Sequence, residues 1–317
     1  MKTSGKWIVV ADARSPVGAV ATRAIRKRLM TVWTILPRAC EPGGDSEQVH
    51  QLRVATRRAL AALEAFETLL SPKRRAWFEK HLRRIRRAAG EARDLDVLTD
   101  RLAQDLQAQG RNPQKRTPSI AGRTARSRLV AMLSRQRVVS RQPIRDRYER
   151  LLEVDWMART AALLDGMHGG RAGESFTDYA RRRFRPLVGH FFAAADRKMR
   201  DADDLHAFRI EGKKLRYILE IFAAVFPERV RSRCYAALEQ LQETLGDFTD
   251  HSAAADRFRR WSRQAPAAAH RDVLDRMRKN EQGLADRAHR DFLKWWDGNR
   301  RAALRRTFER TLRRRPA

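Results

Sequence analysis

From His50 to Leu70 the chain sets apolar against polar residues with the period of an α-helix. At 100° per residue, Leu52, Ala55, Ala59, Ala62, Leu63, Phe66 and Leu70 share one side, while His50, Arg53, Arg57 and Glu64 share the other. The pattern returns without gaps at an offset of 156 residues, His50 onto His206. There Phe208, Leu215, Ile218, Leu219, Phe222 and Phe226 form the apolar side, and His206, Arg209, Lys213 and Glu220 the polar one. Arg58 and Lys214 stand on the shoulders of the two stripes. Either stripe alone would read as a solvated helix face. Their recurrence at one phase, each headed by a histidine, points to an internal duplication and to a shared basic surface.

The flanking segments extend this plan. Ser15-Pro16 reads as an N-cap and first helical residue, after which Ile25, Leu29, Val32, Trp33 and Leu36 share a face until Pro37. Asp45 or Ser46 is the expected cap of the helix carrying His50. Ser71-Pro72 opens a third helix with Trp77, Leu82, Ile85 and Ala89 inward and Gly90 as its expected end. Leu82, Gly90 and Asp94 match Leu238, Gly246 and Asp250 at the same offset. Further helical patterns run through Leu129, Met132 and Leu133, and through Tyr148, Leu151, Leu152, Trp156 and Leu163. From Arg271 onward, Leu274, Met277, Leu284, Phe292, Leu293 and Trp296 fall inward, and the tail is Arg-rich. Polar linkers lie at 110–122 and 166–175. No period-2 stretch is long enough for a sheet. The expected fold is all-α: two helical bundles related by a pseudo-twofold within one domain over 1–317, with halves at about 15–165 and 175–317.

Charge narrows the partners. The chain holds 68 Lys and Arg against 38 Asp and Glu, a net +30, which favours a polyanionic ligand. Nucleic acid, inorganic polyphosphate and an anionic membrane surface all fit that number. Cys40 and Cys234 are too few for a disulfide framework or a zinc module. The apolar run at 7–11 is too short for a signal peptide and no stretch reaches membrane-span length, so the expectation is a soluble, cytoplasmic protein. Asp94 and Asp96 suit the first turn of a helix, where carboxylates meet the macrodipole. Read instead as a Mg²⁺ pair they lack a counterpart, because His251 and Ser252 follow Asp250 in the second copy. No metal or cofactor is expected. Without a Walker loop, HExxH or nucleophile motif, a metal-dependent phosphohydrolase built on His50 and His206 stays behind a binding module.

The doubled motif also resembles a family. VHQLRVATRRAL (49–60), LHAFRIEGKKLRYILE (205–220) and GEARDLDVL (90–98) are similar to the CHAD domain, the α-helical domain named for its histidines. The resemblance implies two bundles about a pseudo-twofold, with a basic groove or pore that binds inorganic polyphosphate without catalysis. It assigns that groove to His50, Arg53, Arg57 and Arg58 from one half, and to His206, Arg209, Lys213, Lys214 and Arg216 from the other. Arg83, Arg86 and Arg87 are added from the third helix, although the second half has no basic equivalents, and Glu64 and Glu220 are expected to orient the cations. Some relatives carry a CYTH triphosphatase domain, whose Glu-x-Glu-x-Lys strand is not found here. Expected partners are polyphosphate, other polyanions, and proteins at polyphosphate granules. General polyanion or nucleic-acid binding is the alternative, but no helix-turn-helix, RRM, KH or repeated aromatic platform supports it.

Overall fold

The computed structural model describes residues 5–9, 14–110, 120–167, 174–197, 199, 201–265 and 268–313. Most of both linkers, at 111–119 and 168–173, and the tail from 314 lie outside them. Among the described residues the secondary structure is helical, with one isolated bridge between Pro16 and Ser175.

The first run of helices is α1 (Val17–Ala39), α2 (Ser46–Ala65), α3 (Pro72–Gly110), α4 (Ile120–Val139), α5 (Gln142–Glu153) and α6 (Trp156–Asp165). The second is α7 (Phe176–Ala195), α8 (Ala202–Ile221), α9 (Glu228–Gln264), α10 (Ala268–Trp295) and α11 (Gly298–Arg313). A 3₁₀ turn, Glu67–Leu69, joins α2 to α3, and another, Ala223–Val225, joins α8 to α9. Local chemistry sets the helix starts. Asp45 accepts from the Glu47 amide, Asp201 from those of Asp203 and Asp204, and Ser175 from that of Asp178. Each such cap contributes about 1 kcal/mol.

The two long helices correct the reading of Gly90. α3 runs straight through it to Gly110, so Asp94 and Asp96 are interior residues and not first-turn ones. A Cβ at Gly90 would stand 3.1 Å from an Arg53 guanidinium nitrogen, and one at Gly246 would stand 3.3 Å from that of Arg209. The glycines admit close side-chain approach and do not end helices. Asp96 is fully buried, held by Arg137 at 2.6 Å and Arg141 at 3.1 Å. Met132, Leu152 and Leu293, expected inward, are exposed. Pro37 lies in the last turn of α1, two residues before its end.

α2 packs on α1, α3 and α8, and α8 packs on α7 and α9, so α2 against α8 is the central crossing. Phe66 and Phe222, equivalent at the 156-residue offset, meet there edge to face at 6.0 Å. Phe176, Tyr179 and Phe184 close around them. A pair of this geometry adds about 0.5–1.5 kcal/mol beyond its burial. A second, smaller core gathers Leu95, Leu98, Leu133, Phe258, Val273 and Leu274, where the far ends of α3 and α9 meet α4 and α10. The cleft described next lies between the two cores. Cys40 and Cys234 are buried, free thiols.

Candidate functional site: a cationic cleft

With the apolar sides of α2 and α8 in the core, their opposite stripes line a cleft of two adjoining compartments. The smaller, about 340 Å³, is bordered by His50, Arg93, Asp250 and Arg260. The larger, about 800 Å³, is bordered by Glu64, Arg83, Arg86, Arg87, His206 and Lys214. Six residues line both: Arg53, Arg57, Asp94, Arg209, Lys213 and Arg257. The junction therefore carries five cations and one carboxylate. That carboxylate, Asp94, is bound to Arg257 at 2.9 Å. Among the described residues, no carboxylate lies within ion-pair distance of Arg53, Arg57, Arg209 or Lys213.

Such crowding shifts titration. Lys213 is pushed down to about 6, first by burial and then by Arg209 and Arg57, with Asp250 opposing. Burial and then Arg57 lower Arg53 to about 10. Arg209 is lowered mainly by burial, and Arg86 by burial and then by Arg57. His50 is lowered by burial and then by Arg93.

The remaining sequence-predicted residues sit elsewhere. Arg58 turns from the cleft to fully buried Glu220, which accepts from it at 2.7 and 2.9 Å. Glu220 also accepts from Arg28 at 3.4 Å and from the Tyr235 hydroxyl at 3.0 Å. The equivalent pair, Lys214 with Glu64 at 2.6 Å, is half-exposed at the rim of the larger compartment. Both bridges run from one half of the chain to the other, so Glu64 and Glu220 fix the crossing of α2 over α8. Arg216 lines neither compartment, and its guanidinium lies over the rings of Tyr217 and Tyr235. Arg83, Arg86 and Arg87 flank one side only, for at the same offset α9 carries Glu239, Gln242 and Glu243.

Sequence reasoning missed Arg93, Asp250 and Arg257 as cleft residues. The signal for two of them was present, because Asp250, Ala253, Ala254 and Arg257 follow one another at i, i+3, i+4 and i+7 on one face of α9. Among the described residues no three His, Cys, Asp or Glu side chains gather as cation ligands, and no helix is long and apolar enough to cross a membrane.

A family model described as the CHAD domain matches residues 23–259. The chain belongs to the CHAD domain family. Two curated relatives, both uncharacterized proteins of Mycobacterium tuberculosis strains, are 30% identical over 212 residues, which is 64% of this chain and 38% of theirs. The chain thus spans well under half the length of the curated relatives it matches. Among solved structures, the CHAD domain from the plant Ricinus communis superposes with a TM-score of 0.71 at 22% identity, covering 96% of this chain and 95% of that one. PptA from Streptomyces chartreusis gives 0.64 at 18% identity, covering 89% and 99%. The likeness to the Ricinus communis domain shows the CHAD fold for this chain.

Proposed function

We propose that the cleft binds inorganic polyphosphate without breaking it. The observation that supports this reading is the quartet of Arg53, Arg57, Arg209 and Lys213 along the wall common to both compartments, with no carboxylate within ion-pair distance of any of the four among the described residues. A linear phosphate chain offers regularly spaced anionic oxygens. Guanidinium forks bind such oxygens bidentately, and counterions released from the polymer add to the affinity. Family membership agrees with this ligand, since polyphosphate binding is what the resemblance to CHAD domains implies. The half-to-half bridges and the matching glycine contacts are in keeping with a duplicated unit whose two basic stripes act as one site. With that ligand the protein would work in the cytoplasm at polyphosphate granules, with other granule proteins as partners.

Titration calorimetry with a length series tests the reading. A triphosphate reaches one compartment, whereas a long chain engages both, so affinity should climb by about tenfold to a hundredfold with length and then level off. A flat series would contradict the shared cleft.

Selectivity is the second measurement. A cleft walled by α2, α3, α8 and α9 admits a slim chain more readily than a duplex, so long polyphosphate should displace double-stranded DNA at equal phosphate concentration near physiological salt. Tighter binding of DNA would favour the nucleic-acid reading. Incubation of polyphosphate or nucleotides with and without Mg²⁺ should release no phosphate, and steady release would point to a hydrolase.

A further inference from the structure

Lys213 is the one cation of the cleft junction whose deprotonated form is a nucleophile. It lines both compartments, and the charges that act on it most strongly are the guanidiniums of Arg209 on its own helix and Arg57 on α2. Among the described residues no carboxylate lies within ion-pair distance of its amine, whereas Lys214, the next residue, is held by Glu64 at 2.6 Å. Two adjacent lysines on one helix thus occupy opposite surroundings. One is tied to a carboxylate at the rim, and the other is crowded by cations at the centre of an anion-accepting cavity.

We infer that Lys213 is a site of covalent acylation by small acyl phosphates. The inference rests on the anion-binding reading of the cleft and adds a second class of ligand to it. Arg53, Arg57 and Arg209 hold the phosphate end, which brings the acyl carbon to the Lys213 amine. The Nζ lone pair forms the new C–N bond. The C–O bond to phosphate breaks, its electron pair leaves on the phosphate oxygen, and the proton lost from Nζ passes to the departing phosphate. The products are a neutral amide and inorganic phosphate, and no further reactant is needed. Burial and the neighbouring cations bring Lys213 to about 6, which leaves much of it as free amine at pH 7 in the empty cleft, the state that a lysine beside other cations uses as a nucleophile. The amide cannot take up the proton that a bound polyanion restores to Lys213, so acylation switches the cleft toward release of its polyanion.

The test incubates the full chain with acetyl phosphate at pH 7 and maps acetyl groups by peptide mass spectrometry, with Lys214 as the internal reference. Lys213 should be modified at least about tenfold faster than Lys214, because the guanidiniums hold the reagent beside Lys213 whereas Lys214 is held by Glu64, and added triphosphate should slow it. A neutral acetyl N-hydroxysuccinimide ester should give a smaller preference that triphosphate affects less. Equal rates at the two lysines under acetyl phosphate would overturn the inference. So would a preference for Lys213 that is the same with both reagents, because the guanidiniums would then not be capturing the phosphate. Calorimetry with long polyphosphate on the same preparation separates the two proposals. Intact binding together with unselective acetylation removes the acylation alone, and absent binding removes the site on which it rests.

Discussion

Glu220→Gln should lower the unfolding free energy by about 3–5 kcal/mol, the range for removing one partner from a buried ion cluster. Its equivalent, Glu64→Gln, should cost less than about 1 kcal/mol. The difference lies in what each carboxylate leaves behind. Glu220 is 0% exposed and faces two guanidiniums, that of Arg58 and that of Arg28, a residue itself 3% exposed. A glutamine at this position would keep the shape but present a neutral amide where two guanidiniums and a tyrosine hydroxyl now donate. The N-terminal segment is coupled to the same point. Ile8 donates its amide to the Glu220 carbonyl, Arg28 donates to the carbonyls of Gly5 and Lys6, and Trp7 packs on Tyr235 at 4.8 Å. Loss of the carboxylate should therefore loosen residues 5–9 as well. Glu64 and Lys214 sit 38% and 31% exposed, so water replaces whichever partner is removed. Urea unfolding followed by circular dichroism measures both variants. Equal, small losses would show that the buried cluster does not hold the halves together.

What the sequence conveys and what it hides divide along a physical line. Periodicity depends only on local order, and it placed the inward faces of α2 and α8 together with the residues of both basic stripes that meet in the cleft. The starts at Asp45 and Pro72 were legible for the same reason, because a cap acts within one turn. Partners distant in sequence were not legible. Arg58 lies on the shoulder of its stripe, and nothing local says that it turns inward to Glu220, 162 residues away. Asp96 looked like a helix-start or metal residue because its partners, Arg137 and Arg141, belong to the end of α4 and the cap of α5.

Gly90 shows the same limit from another side. Glycine has two uses, a left-handed helix end and a place of close approach, and only the position of Arg53 decides between them. Its recurrence at Gly246 was visible, and its meaning was not. Lys213 was legible as a cation but not as the group that titrates. Burial and the guanidiniums of Arg209 and Arg57, which no residue string places around one amine, bring it down to about 6.

The joint variant Arg57→Gln with Lys213→Gln should weaken long-polyphosphate binding by about a hundredfold to ten-thousandfold, since two charge-assisted contacts at about 1.5–3 kcal/mol each are removed. The same change should raise the stability of the free protein, because cations crowded together without a carboxylate repel one another. Opposite signs in the two measurements distinguish a binding site from a structural ion network, for which both would fall. Lys213 also gives the binding a pH dependence. Its folded value of about 6 lies below its unfolded one, so the unfolded chain holds more protons across the interval between them, and free-protein stability rises with pH there. A bound polyanion reverses the local field and restores the charged amine. Affinity should therefore rise as pH falls from about 8.5 toward about 6.5, by up to about tenfold per unit. The charged groups around Lys213 are Arg53 and Arg57 on α2, Asp94 on α3, Arg209 and Arg216 on α8, and Asp250 and Arg257 on α9. His50, lowered by burial and by Arg93, takes up its proton below that interval, and His206 lines the larger compartment, exposed to solvent. Lys213→Arg keeps a permanent charge and should flatten the profile above about pH 6.5, while His50→Gln with His206→Gln should leave the slope there nearly intact. If the histidine variant flattens it instead, the proton is taken up by imidazole and the assignment to Lys213 fails.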